Sequence, residues 1–68
     1  VLAGKVRAAI AGDEPLSIIP IDVSTFRDTV QLSGFVDTQA LKQRAGQIAA
    51  SVDGVGRVEN NIVVKSSN

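Results

Sequence analysis

The stretch SVDGVGRVENNIVV, residues 51–64, decides the fold because it joins a helical pattern to an alternating one. Gly54 stands where the helical pattern stops, and a glycine readily takes the left-handed backbone that ends many helices. After it, Val58, Ile62 and Val64 fall on one face of an extended strand. The stretch therefore predicts a helix that returns the chain to a sheet, as the last part of a strand–helix–strand unit.

The helix before this stretch carries an apolar stripe at helical spacing, which predicts that one side of it packs on a core. Asp37 or Thr38 can cap its first turn, since both side chains accept hydrogen bonds from free backbone N–H groups. The choice between these two caps stays open. The stripe consists of Leu41, Ala45, Ile48, Ala49 and Val52.

Two alternating runs further upstream, residues 16–26 and 29–36, predict a β-hairpin around Arg27 and Asp28. A two-residue and a four-residue loop give the same register, so the loop length stays open. Pro20 lacks an N–H group and favours an edge strand. The register puts both apolar sets on one face of the sheet. The predicted partners are Thr25 with Val30, Val23 with Leu32 and Ile21 with Gly34.

The chain opens on a shorter amphipathic helical pattern over residues 1–11, which residues 12–15 (GDEP) bring to an end. The predicted order αββαβ belongs to the α/β class, as an α+β two-layer sandwich with a three-stranded mixed sheet packed against two helices. The sheet order is first–second–third, and a right-handed crossover makes the third strand parallel to the second. Because the chain starts at Val1 without a methionine, we expect residues 1–68 to be a single domain excised from a longer protein.

The composition argues against several kinds of chemistry. The chain has no Cys and no His, which removes thiolates, disulfides and imidazole ligands. Seven basic residues balance seven acidic ones and two Phe are the only aromatic residues, which is little for binding phosphates or stacking bases. The carboxylates lack metal-ligand spacing, and no serine has an evident base. We expect no enzyme activity, no catalytic residue, no cofactor, no metal site and no nucleic-acid partner.

Two kinds of surface residue remain as candidate contacts for lipid or a partner. Basic side chains on the two helices can present a positive edge to anionic headgroups, although ordinary solvated helix faces have the same composition. Two Phe residues point to the side of the sheet opposite the aliphatic set, where exposed rings can make a contact site. The candidates are Lys5, Arg7, Lys42 and Arg44 on the helices and Phe26 and Phe35 on the sheet.

Almost the whole chain closely resembles the BON domain, a family named for bacterial osmotically induced and nodulation proteins. The resemblance begins at KVRAAI, residues 5–10, and continues through LSG at 32–34 and KQR at 42–44, although the first helix is shorter than is usual in the family. The order and spacing of these motifs carry the resemblance. The positions that it marks as fold-defining are Gly34, Asp37, Gly54, Val55 and Asn61.

The resemblance implies a non-enzymatic binding module of the bacterial cell envelope, located in the periplasm or associated with the envelope. It implies a peripheral association with anionic phospholipid or an envelope protein, and further domains in the same chain. Two alternatives stay open: a protein-interaction or chaperone-like module that uses the sheet face or an edge strand, and small-ion sensing. The matched motifs are structural, so the resemblance assigns no binding residue.

Overall fold

The protein is described by a computed structural model that covers residues 2–65. Val1 and residues 66–68, at the two ends of the expected domain, lie outside the described residues. The elements follow the predicted order, with one added helix and a last strand in two segments. They are α1 (Leu2–Ala11), α2 (Glu14–Ser17), β1 (Ile21–Phe26), β2 (Thr29–Val36), α3 (Gln39–Ala50), β3 (Arg57–Asn60) and β4 (Val63–Val64).

The sheet has the predicted order and directions. β1 is antiparallel to β2, and the register pairs Thr25 with Val30, as the alternation predicts. Phe26 pairs with Thr29, so the loop has two residues. Arg27 takes a positive φ of 58° there, because a two-residue hairpin loop that matches the strand twist needs left-handed backbone. β3 and β4 both run parallel to β2, which confirms the predicted direction of the last strand.

The last strand is interrupted between β3 and β4 but keeps one register. Leu32 pairs with Asn60 and Phe35 pairs with Val63, so both partners lie three residues further along their strands. Within the gap, the Asn60 side chain accepts a hydrogen bond from the backbone N–H of Ile62 at 3.3 Å. The N–H of Asn61, also in the gap, still donates to the Leu32 carbonyl of β2 at 2.9 Å, so the single predicted strand appears as two segments that both follow β2.

The core lies between the sheet and the helices, which confirms the two-layer α+β sandwich. Side chains of every helix meet those of the inner sheet face in one apolar cluster, and no polar side chain is buried among the described residues. The short helix α2 adds Leu16, which is 1% exposed, to this cluster. The expectation of two helices was therefore wrong at residues 14–17, where Pro15 starts a helical turn rather than only ending α1.

Gly34 lies in β2 where the strand passes close to the start of β1. Its φ is +143°, and a Cβ built there would lie 2.8 Å from the carbonyl oxygen of Pro20. Any side chain at this position would therefore push the two strands apart. Pro20 itself comes directly before β1, which forms one edge of the sheet, while β3 and β4 form the other edge in the described residues.

The structure shows which residue caps the start of α3 and where the helix ends. Thr38 is the N-cap, because its side chain accepts a hydrogen bond from the Leu41 N–H, whereas Asp37 is exposed before it. The C-cap is Ser51, so Gly54 does not end the helix directly. Gly54 has φ +96° in the following turn, which the Val55 N–H closes by donating to the Val52 carbonyl.

Candidate functional site

The outer face of the sheet, opposite the helices, is open in the described part of the chain. Phe26 and Phe35 both lie on it, with 71% and 60% of their surface exposed. Val63, the partner of Phe35 on β4, is 49% exposed on the same face. Large apolar side chains that stay in water on a small domain are typical of contact surfaces.

Each exposed ring has a cation over its face. The guanidinium carbon of Arg27 lies 5.3 Å from the centre of the Phe26 ring, and the Lys65 ammonium lies 5.1 Å from the centre of the Phe35 ring. Both distances fall within the range of a cation–π interaction. Each end of the outer face therefore presents an apolar ring together with a positive charge.

The two rings occupy opposite ends of the face. Phe26 pairs with Thr29, and Phe35 is six residues further along β2. At about 3.3 Å per residue, the rings are roughly 20 Å apart. They are therefore two separate contact points that only an extended partner reaches together.

The middle of the outer face is polar. Gln31 on β2 donates a hydrogen bond of 3.0 Å from Nε2 to Oε1 of Glu59 on β3. Asp22, on β1, is exposed on the same face. The face thus has aromatic and basic ends around a centre that carries two carboxylates.

One of the predicted helix cations is already paired within the protein. Arg44 on α3 donates from Nε and Nη2 to both carboxylate oxygens of Asp13, each at 2.6 Å. The hydrogen bond from Arg44 lowers the pKa of Asp13 below its usual value, and the positive charge adds to this while partial burial opposes it. The same hydrogen bond raises the pKa of Arg44. The pair ties the α1–α2 connection to α3 and reduces the charge that Arg44 offers to a ligand.

The other three helix cations do not form a cluster of free charge. Arg7 donates from Nη2 to the backbone carbonyl of Val23 on the edge strand at 3.3 Å. Lys5 is exposed on α1, and Lys42 is half-buried on α3. The structure therefore holds two of the four predicted basic residues, Arg7 and Arg44, in contacts with the protein itself.

Sequence reasoning missed three residues that shape these surfaces. Lys65 continues the alternation after Val64 and falls on the outer face, so the period-two pattern contained the signal. Asp13 and Asn60 gave no such signal, since their partners Arg44 and Lys42 are distant in sequence. Only the packing of the helices on the sheet brings them together.

Two negative findings apply to residues 2–65. No group of three or more acidic residues lies close enough together to hold a metal ion. None of the helices in this part of the chain combines the length and the apolar character that crossing a bilayer requires.

Together, these elements define a small α+β domain with helices on one face of its sheet and an open face on the other side in residues 2–65. The chain belongs to the BON domain family, whose model matches residues 1–66. It is also similar to the osmotically-inducible protein Y of Escherichia coli (strain K12), with 39% identity over 61 residues. That alignment covers 90% of this chain and 30% of the relative, so the chain spans less than a third of the relative's length.

Proposed function

We propose that this chain is a non-enzymatic binding module of the bacterial envelope that acts under osmotic stress by associating with anionic phospholipid. Membership in the BON family and the similarity to an osmotically inducible protein support the envelope location and the role under osmotic stress. The observation that carries the lipid assignment is the pair of ring–cation contacts at the two ends of the outer sheet face. Exposed Phe rings can enter the boundary between headgroups and acyl chains, and the cations beside them meet the phosphates.

A flat and extended partner suits the spacing of these contacts. The rings of Phe26 and Phe35 are roughly 20 Å apart on one face, which a bilayer surface spans without any special shape. Arg57, the partner of Thr29, adds a third cation to this face. Each basic residue near an anionic surface contributes about 1 kcal/mol, so we expect weak binding from one domain.

Vesicle sedimentation tests this proposal. At low salt, where charge attraction is strongest, we expect the protein to sediment with phosphatidylglycerol vesicles and to stay in solution with phosphatidylcholine vesicles. Replacing both rings (Phe26→Ser with Phe35→Ser) should abolish sedimentation. The matched control is Ile18→Ser, because Ile18 is 87% exposed but lies in the connection before β1 and not on the outer face.

Two outcomes contradict the proposal. In the first, the wild-type protein fails to sediment with anionic vesicles. In the second, a Lys5→Gln, Lys42→Gln variant loses sedimentation while the double Phe variant keeps it, which assigns the contact to the helix side instead.

A protein partner on the same face is the second candidate. The carboxylates of Asp22 and Glu59 in the middle of the face favour it, because an anionic surface repels them whereas a protein can pair them with basic residues. Glu59→Gln with Asp22→Asn separates the two functions. The variant should bind anionic vesicles more tightly than the wild type if the ligand is lipid.

A further inference from the structure

A small cavity lies beside the edge strand, on the helix side of the sheet. Its volume is about 150 Å³. Ile10 from α1, Leu16 from α2 and Val23 from β1 form its buried floor, and Arg7 and Ser17 lie at its rim. Pockets for drug-sized ligands measure roughly 300–1,000 Å³, so this cavity matches a single aliphatic side chain.

The free edge of β1 adjoins the cavity. Neighbouring residues of a strand direct their backbone groups to opposite sides, and the Val23 carbonyl points away from β2, where Arg7 reaches it. By the same alternation, the backbone groups of Ile21 and Thr25 face this open side. Among the described residues no strand pairs with β1 there. A strand added to this edge would direct every second side chain toward the helix side, where the cavity lies.

Arg7 supplies a charge at the junction of cavity and edge. Within residues 2–65, Arg44 is paired with the carboxylate of Asp13, whereas no carboxylate lies within 4.0 Å of the Arg7 guanidinium nitrogens. Its guanidinium instead donates to a backbone carbonyl that an added strand would otherwise use. A carboxylate is a stronger acceptor for a guanidinium than a carbonyl, because a charge-assisted hydrogen bond forms.

We propose that this edge binds the free C-terminal end of an extended chain whose last residue is aliphatic. The bound peptide adds a strand to β1, and its last side chain fills the cavity. Its terminal carboxylate replaces the Val23 carbonyl as the hydrogen-bond acceptor of Arg7. In the free protein, Arg7 protects the edge from unspecific pairing, as charged side chains do on many edge strands. The site is independent of the lipid contact, since it uses the edge and the inner side of the sheet.

The probe is an acetylated hexapeptide of alternating threonine and valine that ends in leucine with a free carboxylate. In an NMR titration of the ¹⁵N-labelled protein, we expect the amides of Ile21, Val23 and Thr25 to shift together with the Arg7 side chain. Amidation of the peptide terminus should weaken binding by at least about tenfold through loss of the charged contact. N-methylation of alternate backbone nitrogens should weaken it by a similar factor, because the added strand loses its N–H donors.

Protein variants make the test specific. Arg7→Gln should remove the preference for the free carboxylate, while Lys5→Gln on the same helix keeps it. Ala11→Phe should block the cavity that Ala11 lines, whereas Ala8→Phe, an exposed position of α1 away from the cavity, should leave binding unchanged. All four positions are exposed, so the variants should fold.

Three results overturn the proposal. The first is the absence of amide shifts with the hexapeptide at millimolar concentration. The second is equal binding of the N-methylated peptide or of octanoate, which means that the cavity takes apolar acids without strand pairing. The third is a set of shifts confined to the outer face around Phe35 and Val63.

Discussion

Asn60 occupies a position on the inner side of β3 where the alternation predicts an apolar residue. It is half-buried there, and its Nδ2 donates to the Lys42 carbonyl on α3 at 2.8 Å while its Oδ1 accepts from the Ile62 N–H. One side chain thus fastens α3 to the sheet and fills the gap between β3 and β4. A half-buried polar group that loses its hydrogen-bond partner lowers the stability of the folded protein.

We predict that Asn60→Ala lowers the free energy of unfolding by about 1–3 kcal/mol, because the Lys42 carbonyl and the Ile62 N–H each lose a hydrogen bond. Urea denaturation followed by circular dichroism measures this change. Asn61→Ala is the matched control, since Asn61 is exposed and bonds to Leu32 through its backbone N–H. Equal effects of the two substitutions would refute the role of Asn60.

Two glycines in helices should respond in opposite directions to alanine. At Gly4 a Cβ meets nothing within 4 Å, so Gly4→Ala should raise the free energy of unfolding by about 0.5–1 kcal/mol through helix propensity. At Gly46 a Cβ would lie 2.8 Å from Nδ2 of Asn60, so Gly46→Ala should destabilise the protein by displacing that side chain. Thermal unfolding of both variants tests the pair. A stabilising Gly46→Ala would contradict the contact.

At the scale of elements, the short helix α2 is part of the core. Leu16 is 1% exposed in the core cluster and α2 packs against α1 and α3, whereas Ile18, two residues later, is 87% exposed. We predict that Leu16→Ala costs about 2–4 kcal/mol of unfolding free energy through lost burial and a cavity. Ile18→Ala should change it by less than about 0.5 kcal/mol. Chemical denaturation compares the two, and similar costs would mean that α2 does not support the fold.

The contact between Asp13 and Arg44 makes stability depend on pH. Because hydrogen bonding to Arg44 lowers the pKa of folded Asp13 below its usual value of 3.8, its contribution is present above that value and is lost as the pH falls through the folded pKa. Stability should therefore drop more steeply between about pH 5 and pH 2 in the wild type than in Asp13→Asn. The effect is small, because half of the Arg44 side chain is exposed to water.

Urea midpoints measured across this range test the prediction. Glu14→Gln serves as the control, since Glu14 is the adjacent carboxylate and its side chain forms no hydrogen bond or ion pair with Arg44 in the described structure. Asp13→Asn and wild type following parallel pH curves would contradict the account.

The elements that alternation and helical stripes define were predictable from the sequence. The hairpin register followed from matching the apolar faces of β1 and β2. A shift of one residue would move every side chain of one strand to the opposite face of the sheet. The short helix at Pro15 was not predictable, since four residues are too few for a periodic pattern. Nor was the break before Ile62, because β3 and β4 keep one register against β2 and the pattern of residues 57–64 continues across the break.

At the scale of the whole molecule, the exposure of Phe26 and Phe35 followed from the same alternation. The hydrogen-bond partners of the basic residues could not be predicted from this alternation. Arg44 meets Asp13 across 31 positions of sequence, and Arg7 meets Val23 across 16, so their partners appear only when the helices dock on the sheet. The sequence therefore indicated the outer face as a surface but overstated the free charge on the helices.

The sandwich leaves the molecule with two different sides, and the proposed lipid association assigns the outer sheet face to the membrane. One side is closed by helices whose arginines bond within the protein, and the other carries rings and cations at both ends. NMR cross-saturation from the acyl chains of phosphatidylglycerol nanodiscs to the protein tests this most directly. If the outer sheet face contacts the lipid, the signals of Phe26, Phe35 and Val63 should lose intensity while those of α1 and α3 keep it. Losses centred on Lys5 and Lys42 would contradict this assignment.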